Sequence, residues 1–144
     1  MWGFIIAIIS GALMSIQGVF NTGVTKQTSI WLSAAFVQLT AFLVCIIAYF
    51  ISGKEVSISS IWQVSPKYLL LGGAIGAFIT FTVIKSVGDL GPARANLLIV
   101  IAQILVAYVV ELFGLFGCEK VEFEWKKLIG IGIAAVGFVI FNWK

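Results

Sequence analysis

Glu111 is the most reactive group in an unusual place: a carboxylate about 16 residues into an apolar run at 95 to 116, so at 1.5 Å per residue it lies about 7 to 10 Å from the middle of a bilayer. No Lys or Arg stands one helical turn away to neutralise it. Such a carboxylate either takes up a proton or a cationic solute, or sits at the headgroup boundary as the polar tail of its helix. The amides Gln17, Asn21, Gln38, Asn96 and Gln103 share its oddity, because they too fall within or at the ends of long apolar runs. An amide with no partner in hydrocarbon costs several kcal/mol, so each must face protein or water.

Their spacing is helical. The first run carries Gly3, Ala7, Ser10, Met14, Gln17 and Asn21 at intervals of three and four, with Ile5, Ile9, Leu13, Ile16 and Phe20 left for a greasy face. The second repeats the pattern with Trp31, Ala34, Gln38, Ala41, Cys45 and Tyr49. The fourth has Asn96, Gln103, Ala107, Glu111 and Gly114 within an arc of about 100°. These residues can be cross-helix glue worth about 1 kcal/mol per bond, or the wall of a polar cavity near the midplane. The cavity reading takes Ser10, Met14, Gln17, Asn21, Trp31, Gln38, Tyr49, Asn96, Gln103 and Glu111 as its lining.

The third and fifth runs read differently. Gly72, Gly76 and Thr80 at spacing four, beside Gly73 and Ala77, give a small-residue surface that lets another backbone come close. Gly130, Ala134 and Gly137 do the same in the fifth, so these positions are expected to pack helices. Lys85, near the end of the third run, can snorkel to the interface.

The elements that must position these groups follow from composition. Of 144 residues, 61% are apolar and only 10% charged, and mean hydropathy is +1.14. A soluble domain carries roughly a quarter charged residues, so the chain is expected to be an all-α polytopic membrane protein. With no His and only Cys45 and Cys118, neither a zinc site nor a disulfide scaffold is expected, and no cofactor or catalytic residue is assigned. Helices are expected at about 3 to 21, 30 to 52, 68 to 87, 95 to 116 and 128 to 143, forming a single transmembrane domain. The last is short, but Trp125 and Trp143 bracket it, with Lys126, Lys127 and Lys144 as anchors. The first lacks a basic start and a small-residue cleavage site, and is expected to stay in the mature protein. Gly91-Pro92 suits a tight reversal into the fourth helix.

If all five runs cross, Lys54, Lys67, Lys120, Lys126 and Lys127 share the N-terminal side, and Lys26, Lys85, Arg94 and Lys144 share the other. Five against four is almost no orientation bias. Either the amino terminus and the 120 to 127 cluster fix one orientation, or the chain inserts both ways and pairs as an antiparallel homodimer of ten helices. Two opposed copies reproduce the inverted repeat of many transporters. The partner's Lys85 and the partner's Arg94 would then approach the membrane side of Glu111.

In order and spacing, the chain resembles the YdcZ-like family, the five-helix branch of the drug/metabolite transporter superfamily, over nearly its whole length. The matching pieces are the first helix ending in Gln17 and Asn21, the Gly72-Gly73-Ala74-Ile75-Gly76-Ala77 segment, and Leu90-Gly91-Pro92-Ala93. They continue with Gln103, then Glu111-Leu112-Phe113-Gly114-Leu115-Phe116-Gly117, and a basic-aromatic start to the fifth helix. The resemblance implies a multi-pass bacterial inner-membrane protein, found in the family as single dual-topology genes, oppositely oriented pairs or fused ten-helix chains. The plan is also similar to the four-helix small multidrug resistance transporters, but their mid-helix glutamate is absent here. Met14 and Gln17 occupy that region, so their proton/cation exchange chemistry does not carry over directly.

The expected function is secondary transport, with no enzymatic activity: a small amphipathic or cationic metabolite moved by alternating access across the bacterial inner membrane. The expected partners are the lipid bilayer, a second copy or a paired homologue, and a small-molecule substrate, with no nucleic acid. A passive dual-topology ion channel is the alternative, since Phe78-Ile79-Thr80-Phe81-Thr82 is similar to the Phe- and Thr-rich third helix of fluoride channels. A non-transporting scaffold would have no use for aligned amides and an intramembrane carboxylate.

Overall fold

The computed structural model describes residues 1–53 and 56–143. Lys54 and Lys144, which enter the charge balance above, lie outside the described residues. The described residues are all-helical: α1 (Trp2–Gln27), α2 (Ile30–Ile51), α3 (Gly72–Leu90), α4 (Pro92–Phe113) and α5 (Trp125–Asn142), with 3-10 turns at Ile58–Gln63, Lys67–Leu71 and Leu115–Gly117. Five segments are long and apolar enough to cross a membrane, the third running from Lys67 to Leu90. At most 11% of the most apolar window of any of them is buried, so most residues of each span keep apolar surface for lipid or for other protein.

The chain divides into two units, Met1–Asp89 and Leu90–Lys144. In the first, Ser29 starts α2 by accepting a hydrogen bond from Leu32 N at 3.2 Å, which satisfies one of the open amides of the first turn. The α1 and α2 helices then meet through small and polar residues: the fully buried Ser33 hydroxyl donates to the Asn21 carbonyl at 3.1 Å. Thr22 returns its hydroxyl to Gly18 O at 2.8 Å, so a buried polar group is satisfied within its own helix. α3 packs against α1 at Gly18, where a Cβ would stand at ordinary contact distance, 3.5 Å, from methyl groups of Val83 and Val87. Buried Ala34, Ile84 and Val87 complete this small core.

In the second unit, Pro92 opens α4, where its missing N–H needs no partner, and Gly91 before it takes φ 81°. The helix ends at Gly114, in the left-handed conformation (φ 62°), whose N–H bonds back to Glu111 O at 3.2 Å. Val121 N also bonds to Glu111 O, at 3.1 Å, which fastens the following loop to the end of α4 and sends the chain back along it as α5.

Candidate functional site

The α4–α5 hairpin holds a groove of about 380 Å³ that contains Glu111. Its lining falls into mirror pairs about Glu119: Glu111 with Lys127, Tyr108 with Gly130, Ala107 with Ile131, and Ile104 with Ala134. Mirror pairing is what an antiparallel hairpin with a short connection imposes, because equal steps back along one helix and forward along the other stay level. The groove is open because Ala107, Gly130 and Ala134 are small. A Cβ at Gly130 would meet nothing within 4 Å. One end of the groove is charged and the rest is apolar.

The charged end is held by Tyr108. This residue is only 6% exposed, and its hydroxyl accepts from Glu124 N at 2.8 Å and donates to Glu124 O at 3.4 Å. It therefore stands in for the side-chain cap that α5 lacks. Lys127 lies with its ammonium 5.4 Å from the centre of the Tyr108 ring and 3.2 Å from the Glu124 carboxylate. Glu111, by contrast, has no hydrogen bond or ion pair to its carboxylate among the described residues. The outcome is an unpaired carboxylate facing the same groove as an ammonium already paired elsewhere. Lys127, which the sequence marks only as an interfacial anchor, is signalled as a site residue by the mirror register of the hairpin, and Tyr108 by its place one turn before Glu111 on the same helix.

The other candidates fall as follows. On α1, Met14, Gln17 and Asn21 line one hollow of about 390 Å³, but Leu13, Ile16 and Phe20, read from the sequence as the greasy face, border it too. Gln17 is exposed, Asn21 is buried, and Ser10 is exposed further along the helix. On α2, the Trp31 ring stacks on Phe81 of α3 with centroids 4.6 Å apart. Gln38 lies against α3 as well, its Nε2 3.3 Å from where a Cβ at Gly76 would stand. Tyr49 turns to the loop after α2 and donates to Val56 O at 2.7 Å. Asn96 is half-buried and Gln103 exposed on α4. Gly72 and Gly137 border open space, like Gly130. Lys85 forms an exposed pair with Asp89 at 3.2 Å.

The family profile described as "Putative inner membrane exporter, YdcZ" matches residues 2–140. No curated protein and no solved structure matches the chain. Exporters are transport proteins, a non-enzymatic kind. With a match across nearly the whole chain and five segments fit to cross a bilayer, this protein belongs to the YdcZ family and is a multi-pass inner-membrane protein of the transporter class.

Proposed function

We propose that the protein is a dual-topology secondary transporter that works as an antiparallel homodimer and moves a small amphipathic or cationic metabolite by alternating access. The observation that carries this reading is the Glu111 carboxylate, unpaired among the described residues, in a groove whose other walls are largely apolar. A charge left so in a membrane helix is costly and marks a path for protons or solutes. The near-equal Lys and Arg balance supports insertion in both orientations. In the dimer, Gln17, Asn21, Gln38, Asn96 and Gln103 would add polar groups to one central cavity, with Ser10, Met14, Trp31 and Tyr49 around it. Gly72, Gly76 and Gly137 would serve as close-approach surfaces between helices.

The channel alternative has less support. Its Phe- and Thr-rich run is occupied within the chain: Thr80 and Thr82 donate to Gly76 O and Phe78 O at 2.9 Å, and Phe81 stacks on Trp31. Purified protein in liposomes separates the classes. A carrier gives slow, saturable solute flux; a channel gives flux that is orders of magnitude faster and unsaturated; a scaffold gives none.

A further inference from the structure

The groove carries both signs of charge at one end, and this narrows the ligand beyond a cation. Glu111 and Lys127 face each other across the hairpin without forming an ion pair with one another. Lys127 spends one contact on Glu124 at 3.2 Å, but an ammonium has three N–H donors, and its side chain is 39% exposed. It can therefore hold a second carboxylate. From this charged end the lining runs to Ile104 and Ala134, about 10 Å deeper at 1.5 Å per residue, with no other charged residue among the described ones that line it.

We propose that the groove binds an α-amino acid with an apolar side chain: the ammonium at Glu111, the carboxylate at Lys127, and the side chain over the floor formed by Gly130 and Ala134 toward Ile104. This assignment rests on the transporter reading for its purpose but not for its chemistry. A ligand with only a cation leaves Lys127 unused, and one with only an anion faces Glu111. The glycine sets the space: because a Cβ at Gly130 meets open room, a larger side chain there fills the groove while sparing the fold.

The test is thermal stabilisation of the purified protein by L-leucine, by leucinamide, which lacks the carboxylate, and by 4-methylpentanoate, which lacks the amine. Leucine stabilises saturably, and each analogue binds about tenfold more weakly or worse, the loss expected when one charged hydrogen bond is removed. Lys127→Gln brings leucine down to the level of leucinamide and leaves leucinamide unchanged. Gly130→Leu abolishes leucine binding with an unchanged melting temperature in the absence of ligand; if it lowers that temperature, Ala134→Leu tests the same floor. Leucinamide binding as tightly as leucine, no effect of either floor substitution, or no stabilisation by leucine or phenylalanine overturns the assignment. Leucine binding without flux in liposomes keeps it and removes the carrier reading. Flux of another solute without amino-acid binding does the reverse.

Discussion

The amide of Gln38 lies directly on Gly76: a methyl group built on that glycine would stand 3.3 Å from Nε2. The polar residue of α2 and the small-residue surface of α3 are therefore two halves of one contact, and the Trp31–Phe81 stack joins the same two helices further along. At 3.3 Å the end of a flexible side chain can give way to a methyl but not to a branched group. Gly76→Ala is thus expected to be nearly neutral and Gly76→Leu to cost about 1–3 kcal/mol through overpacking. Gly11→Leu on α1, where the space is open and no packing role is assigned, is the control. Melting temperatures in detergent decide it; equal effects at the two glycines would deny the contact any role in stability.

Tyr108 makes a second testable joint. Tyr108→Phe keeps the ring under Lys127 but removes the hydroxyl that serves Glu124 N and O. The expected cost is about 1–2 kcal/mol, since the bond from Glu124 N at 2.8 Å and the longer one to Glu124 O at 3.4 Å are both lost at the start of α5. Hydrogen exchange of the Glu124 amide should accelerate, while exchange in the middle of α4 stays as it was.

Orientation can be read with the chain's own thiols. Cys45→Ala leaves Cys118, exposed in the connection between α4 and α5, as the single cysteine. With both orientations populated, about half of Cys118 reacts with an impermeant maleimide on intact cells and the remainder only after permeabilisation. Complete labelling, or none, before permeabilisation would mean a single orientation.

The five helices were legible because hydropathy alone separates spans from loops, and Gly91-Pro92 marked the start of α4 through backbone chemistry that needs no tertiary context. Element ends were less so. α1 continues to Gln27 past its apolar run, since Thr22 satisfies its hydroxyl on Gly18 O and polar residues extend the helix without strain. Tyr68-Leu69-Leu70-Leu71 reads as span, yet it winds as a 3-10 turn after Pro66, and hydropathy is blind to that difference. The site was half legible. Glu111 stands out as a charge in an apolar run, but no cationic neighbour lies within one turn of it on its own helix. Lys127 reaches the same groove from the next helix, a relation set by the length of the hairpin connection and not by local sequence.

The central claim is that Glu111 couples transport to protons or to a cationic group of the solute, and replacing its charge tests that claim most directly. The measurement is flux driven by a pH gradient in liposomes containing wild type or Glu111→Gln, with dimer content and melting temperature followed in parallel. The account predicts that Glu111→Gln loses pH-driven flux while the dimer survives with an unchanged melting temperature. If Glu111→Gln transports as wild type does across the pH range, or if the dimer falls apart before flux is affected, the carboxylate is a structural end of α4 and the account is wrong.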